Sequence, residues 1–189
     1  TDPRPSYDPW EGFNRAMFGV HRAVDNAVLE PVARGYRAVT PEPVRGGVRN
    51  FLRNLNAPVI FANDLLQGEF KRAGSTAGRF AINTTIGIAG LFDPATSIGL
   101  ERHDEDFGQT LAVWGVPSGP YLFIPLLGPT NIRDGAGRGV DVALDPITWS
   151  DFDEIDTFRA TRTVLGALSA REGLLDPIDA IEAQGGDLY

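Results

Sequence analysis

Apolar residues recur along this chain at spacings of three and four, the period of an α-helix, and alternating runs of the strand type are absent. Asp8-Pro9-Trp10-Glu11 places an acidic cap, a proline at the first helical position and a glutamate behind it, which predicts a helix start. Phe13, Met17, Val20, Val24 and Val28 then follow at steps of 4, 3, 4 and 4 along one helical face. Pro31 is expected to kink or restart the helix, and Val32, Tyr36 and Val39 carry it to a second cap at Thr40-Pro41-Glu42-Pro43.

The next segment is the most amphipathic. Val44, Val48, Phe51, Leu52 and Leu55 form an apolar stripe, and Arg45, Arg49 and Arg53 form a cationic stripe beside it. This pattern fits a helix lying at a membrane interface, and it also fits a surface helix with a solvated basic edge. After Pro58, residues 59–70 and 72–88 read as further helices, the second carrying Ala73, Ala77, Phe80, Ala81, Thr84 and Ile88. Gly74 and Gly78, four apart, predict close approach of another backbone. Residues 104–114, 132–144 and 151–170 complete the helical segments, and Asp176-Pro177 opens a short last one. The pattern predicts an all-α chain of six to nine helices, arranged as a flat multi-helix ring or bundle.

One stretch breaks the pattern. Residues 115–129, GVPSGPYLFIPLLGP, are apolar yet hold three glycines and four prolines, which excludes a regular helix or a central strand. A long apolar loop in water is costly, so it must be buried as a hairpin, cover a core or touch lipid.

The 189 residues favour one domain and suffice to bury a core. No run approaches the roughly 18 apolar residues that a membrane-spanning helix requires. With no cysteine there is no disulfide framework, thiol catalysis or cysteine-based zinc site. The net charge of −8 argues against a nucleic-acid partner, and the excess acid lies wholly beyond residue 105. Residues 31–80 instead hold 8 basic and 3 acidic groups, a local excess suited to anionic lipid headgroups.

Catalytic and cofactor signatures are missing. His21 and His103 are far apart in the chain, and there is no nucleophile elbow, zinc-binding His-Glu-x-x-His or phosphate-binding loop. The acids in 101–106 are expected as caps and helix-dipole partners rather than as a metal site. GAGRG at 135–139 lacks the preceding strand that a dinucleotide site requires. Arg133-Asp134 and the set Asn50, Asn54, Asn63 and Asn83 are expected to form caps and interhelical hydrogen bonds.

Four strings carry a resemblance. DPWEGFNRAMF at 8–18, NFLRNLNAPVIFANDLLQG at 50–68, RFAINTTIGIAGLFD at 79–93 and DFGQTLAVWGVPSGPYLFIPLLGPTNIRD at 106–134 resemble the MlaA/VacJ outer-membrane lipoproteins. The likeness runs from about residue 8 to 146, with a looser helical tail to 183, and predicts one domain over 1–189. It implies a lipid-anchored helical ring in the periplasmic leaflet of the Gram-negative outer membrane, surrounding an amphipathic channel. That channel would return phospholipids that have strayed into the outer leaflet to a periplasmic lipid carrier, beside a trimeric porin. No enzyme activity, metal or cofactor is implied.

On this reading the passage is walled by Gly115, Val116, Gly119, Pro120, Tyr121, Leu122, Phe123, Ile124, Leu126 and Leu127, moving about Gly115 and Gly119. The interface helix presents Val44, Val48, Phe51, Leu52 and Leu55 to lipid, with Arg45, Arg49 and Arg53 reaching phosphates. The alternative function is a non-transporting periplasmic scaffold that binds an outer-membrane porin. The lipidated cysteine that starts a mature family member is not among these residues, so the native form is expected to carry it. Family members usually continue past the position of Tyr189, so truncation is expected there.

Overall fold

The computed structural model describes residues 8–185; Tyr189 lies outside them. Eight helices of seven residues or more dominate these residues: α1 (Glu11–Val24), α2 (Glu30–Val39), α3 (Glu42–Leu66), α4 (Phe70–Thr85), α6 (Phe107–Val113), α7 (Ile132–Leu144), α9 (Ile155–Gly173) and α10 (Leu175–Ala183). Two single turns, α5 (Pro94–Ser97) and α8 (Pro146–Trp149), complete the helical part. Strands β1 (Tyr121–Ile124) and β2 (Gly128–Asn131) form one antiparallel hairpin, with Tyr121 opposite Asn131 and Ile124 opposite Gly128. The apolar stretch is therefore a hairpin, and a two-stranded sheet has only edges, which is where Pro129 is tolerated.

Both internal prolines behave differently from a simple break. Ahead of Pro31 the chain widens into a π-turn over Asp25–Leu29, where Glu30 N–H reaches back to the carbonyl of Asp25. Pro31 then sits in the opening turn of α2, where its missing N–H costs nothing. The wider turn carries Asp25 inward, a displacement that π-turns commonly provide at special sites. Pro58 breaks nothing: α3 runs through it for 25 residues, correcting the expectation of a new helix at 59. One lost backbone bond is offset there by the burial of Asn54, Ala57, Val59, Ile60, Asn63 and Asp64 on either side of it.

Capping follows the acids and amides. Asp93, Asp106, Asn131 and Asp145 each accept the backbone N–H of the helix that follows, at Thr96, Gln109, Asp134 and Ile147. The close approach expected at Gly74 and Gly78 lies elsewhere, because Gly74 has open space around it. It occurs where α6 crosses α7: a Cβ on Gly137 would lie 2.4 Å from the backbone nitrogen of Gly108. The glycine motif at 135–139 thus serves a helix crossing.

The distribution of polarity is inverted. Among the described residues, eight apolar side chains are buried against thirteen polar or charged ones, while thirty large apolar side chains are exposed. In α1 and the π-turn, the inward residues are Asn14, Phe18, His21 and Asp25. Of the predicted stripe, Phe13, Val20, Val24 and Val28 lie on the adjoining face, open to the surroundings, and Met17 is half-buried. Among the described residues, no helix is long and apolar enough to cross a membrane.

Candidate functional site

The hairpin is fastened at its first strand. Asn14, fully buried, donates to the carbonyl of Tyr121 at 3.2 Å and to Asp8 at 2.7 Å, and accepts the N–H of Phe123 at 2.9 Å. Phe123 is buried edge-on against Phe18. His21 Nδ1 accepts the N–H of Leu126 at 3.2 Å, and the backbone N–H of Arg133 reaches the carbonyl of Ser118. Around these anchors the backbone turns through left-handed angles at Gly115, Gly119, Leu126 and Gly128. Leu126 and Leu127 are exposed at the tip, Val116 is exposed at the base, and Tyr121, Leu122 and Ile124 are half-buried. Asn14→Ala should lower unfolding stability by about 2 kcal/mol, since buried groups lose their partners. Denaturant unfolding checks this, and an unchanged midpoint would show that the hairpin is held by other contacts.

Behind the hairpin lies a polar interior. Asn63 bonds Asp141 of α7 at 2.9 Å and accepts the hydroxyl of Thr110 of α6 at 2.8 Å. Asp141 also accepts the N–H of Phe107; burial pushes its carboxyl above the usual range, against the pull of these hydrogen bonds. Asn54 bonds Thr84, and Asn83 bonds Asp93, so three of the four predicted asparagines join helices or caps, and Asn50 reaches only the carbonyl of Leu91. Arg133 pairs with Asp134 at 2.8 Å, half-buried rather than enclosed. Of the acids in 101–106, Asp106 caps α6 as expected, while Glu105 is buried against Arg72 and Gln67.

Between α3, α4 and the segment after α5 is a cleft of about 50 Å³, whose walls include Arg53, Asn54, Arg79, Asp93, Arg102 and Asp104. Asp93 is the hub. Both of its carboxylate oxygens accept from Arg79 Nη2, at 2.8 and 2.9 Å, and it also accepts from Arg102 at 2.6 Å and from the Thr96 hydroxyl. Burial raises the cost of its charge, yet hydrogen bonds from Thr96, Asn83 and Arg79 hold the carboxyl well below its ordinary value. His103 Nε2 meets both Thr76 Oγ1 at 3.2 Å and Asp64 at 2.9 Å. A proton relay needs the two partners on different ring nitrogens, so this trio is not arranged as a hydrolase triad.

The arginine stripe of α3 divides. Arg45 donates to the carbonyls of Thr40 and Arg37 and lies 3.3 Å from Glu172, and Arg49 contacts Glu172 at 3.2 Å and Glu42 at 2.5 Å. Arg37 of α2 completes a set of three arginines around this one buried carboxylate. Arg45 and Arg49 therefore join α3 to α9, an assignment different from the phosphate contacts expected of them. Only Arg53 of the stripe lines the cleft. In the apolar stripe, Val44 is exposed, whereas Val48, Phe51, Leu52 and Leu55 are half-buried, with Leu52 turned toward α9.

All three tryptophans, Trp10, Trp114 and Trp149, present exposed rings. The indole N–H of Trp114 is bonded to the carbonyl of Leu66 at 3.0 Å, and that of Trp149 to Ala143 at 2.8 Å. Those two rings can meet an apolar medium without an unpaired donor.

Residues 6–189 match the model of the family described as MlaA lipoprotein. The chain belongs to the MlaA lipoprotein family. It is 33% identical over 193 residues to the intermembrane phospholipid transport system lipoprotein MlaA of Escherichia coli, which aligns all of this chain with 75% of that protein. It is 40% identical over 151 residues to an uncharacterized protein of Rickettsia typhi, covering 78% of this chain; the match spans 60% of that relative's length. A solved structure, reported under the words "Structural basis for maintenance of bacterial outer membrane lipid asymmetry", superposes with a TM-score of 0.80 at 34% identity, covering 93% of this chain and 88% of the other.

Membership in the MlaA family accounts for the mostly helical architecture. It does not by itself reveal Asn14, Asp25, Arg171 or Glu172, which hold this chain's elements together. Arg171 forms a bidentate pair with Asp25 at 2.6 and 2.8 Å, tying α9 to the π-turn. The available signal was polar spacing: Asn14, His21 and Asp25 recur every seven and four residues.

Proposed function

We propose that this chain is a phospholipid conduit of the Gram-negative outer membrane, anchored in the periplasmic leaflet through a lipidated cysteine outside the present residues. It withdraws phospholipids misplaced in the outer leaflet and passes them intact to a periplasmic lipid carrier, alongside a trimeric porin. The observation that carries this reading is the inverted polarity: among the described residues, thirty exposed large apolar side chains surround an interior of hydrogen-bonded amides, carboxylates and arginines. In water such a surface is a liability, whereas against acyl chains it is stabilising. A polar interior in turn suits a headgroup in transit. The named E. coli relative supports phospholipid as cargo.

The hairpin serves as the movable wall of that passage. Its β1 strand stays fastened to Asn14, and movement concentrates at Gly115 and Gly119, where positive φ angles favour glycine. Leu126 and Leu127 are then the residues that meet acyl chains. The exposed apolar face of α1 and the outer side of α3 make the membrane contact, a surface that a porin wall can share.

Embedding is testable through the tryptophans. In vesicles whose acyl chains carry bromine, Trp114 and Trp149 should lose at least half of their fluorescence relative to unbrominated lipid, because bromine quenches only rings that lie among acyl chains. Equal emission in both lipids would place the rings in water and remove the membrane reading.

A further inference from the structure

Arg53 and Asp104 line the same cleft, yet neither forms a hydrogen bond or an ion pair through its side chain among the described residues. Every other arginine of the cleft is engaged: Arg79 and Arg102 are both held by Asp93. Arg53 and Asp104 lie close enough to influence each other electrostatically without closing the gap. Burial, and then the neighbouring Arg102 cation, lower the proton affinity of the Arg53 guanidinium, while Asp104 and Asp93 raise it. A cation and an anion facing one cleft, separate and each without a partner, leave room for a ligand that carries both charges.

The surroundings narrow the ligand. Asp93 neutralises part of the arginine charge, so the cleft is not a strongly cationic funnel that would select an anionic headgroup. Beside it, an apolar hollow of about 280 Å³ against Pro58, Phe61 and Ala77 shares the walls Ala57, Thr76 and Phe80 with the cleft. A headgroup held at Arg53 thus has apolar surface close by for the chains attached to it.

We propose that the cleft binds the zwitterionic headgroup of phosphatidylethanolamine, with the phosphodiester on Arg53 and the ammonium on Asp104. Guanidinium suits a phosphate through two parallel N–H bonds, and a carboxylate accepts from an ammonium. The inference rests on the conduit reading and adds to it a preference among lipids.

The test incubates the purified protein with vesicles of equimolar phosphatidylethanolamine and phosphatidylglycerol, and counts both lipids on the recovered protein by mass spectrometry. The wild-type protein should carry phosphatidylethanolamine in roughly fivefold excess, what an ion pair to the exposed Asp104 carboxylate worth about 1 kcal/mol distinguishes. Arg53→Gln should reduce total bound lipid about tenfold, and Arg53→Lys should restore part of it, because the charge returns without the fork. Asp104→Asn should leave the total near wild type and bring the two lipids to equal amounts. Since neither side chain bonds another residue, thermal midpoints should stay unchanged and folding failure does not mimic the result. Soluble glycerophosphoethanolamine at equal concentration should leave the lipid in place.

If wild type carries lipid but the variants match it in amount and ratio, or wild type takes both lipids equally, the headgroup assignment is overturned and the conduit stands. Displacement by the soluble headgroup overturns assignment to a lipid. Absence of any lipid on wild type defeats both readings.

Discussion

Glu172→Gln is expected to destabilise the protein by about 3 kcal/mol, the lower end of what breaking a buried ion pair costs. Glu172 is 3% exposed and faces Arg37 at 2.8 Å, Arg49 at 3.2 Å and Arg45 at 3.3 Å. A glutamine keeps the volume and one acceptor oxygen but leaves three guanidinium groups crowded together without their shared anion. Arg37 and Arg49 retain Asp176 and Glu42, and the arginines remain 13–30% exposed, which is why the expected loss is not larger. The comparison is Glu182→Gln, whose pair with Arg22 is open to solvent on both sides and should shift stability by less than about 0.5 kcal/mol. Equilibrium unfolding in urea measures both; equal small effects would mean that α9 is held to α3 by packing alone.

The second large effect is expected at the helix crossing. Gly137→Ala should cost about 3 kcal/mol or more, because the new methyl would lie 2.4 Å from Gly108 N and 2.8 Å from Gly108 Cα. Backbone atoms cannot rotate away as a side chain can, so α6 and α7 must separate. Separation would also strain the bonds from Asp141 to Phe107 N–H and to Asn63. Gly139→Ala on the same helix meets nothing within 4 Å and should instead stabilise by up to about 1 kcal/mol through helix propensity. Thermal unfolding of the two variants should therefore move in opposite directions, and movement in the same direction would contradict the close crossing.

Much of the helical layout is legible in the sequence because caps and spacing are local. Asp106 before α6, Asn131 before α7 and Asp145 before α8 announce their helices within three residues. The fate of Pro58 is not local. Whether a helix survives a lost bond depends on what its far side buries, here Asn54, Asn63 and Asp64 against α4, α6 and α7. The same holds for Arg45 and Arg49, whose partner Glu172 lies more than 120 residues away. Periodicity identified an apolar face on α1 but not its direction. In a water-soluble bundle that stripe turns inward, and here it turns outward because Asn14 and Asp25, one position from the stripe, find partners inside. Hairpin residues 115–129 declared themselves by their prolines and glycines, while the fastening of β1 depends on a side chain 107 residues upstream.

The claim that matters most is that the chain moves intact phospholipid. Donor vesicles holding the protein and a labelled phospholipid, mixed with unlabelled acceptor vesicles, give the rate at which label appears in the acceptor and, by mass spectrometry, its chemical form. A conduit should give faster transfer than protein-free vesicles, with the lipid uncleaved, and should lose that gain when Leu126 and Leu127 are both replaced by aspartate. Transfer at the protein-free rate from vesicles that retain the protein would contradict it in favour of a scaffold, and appearance of lysolipid would contradict it in favour of a hydrolase.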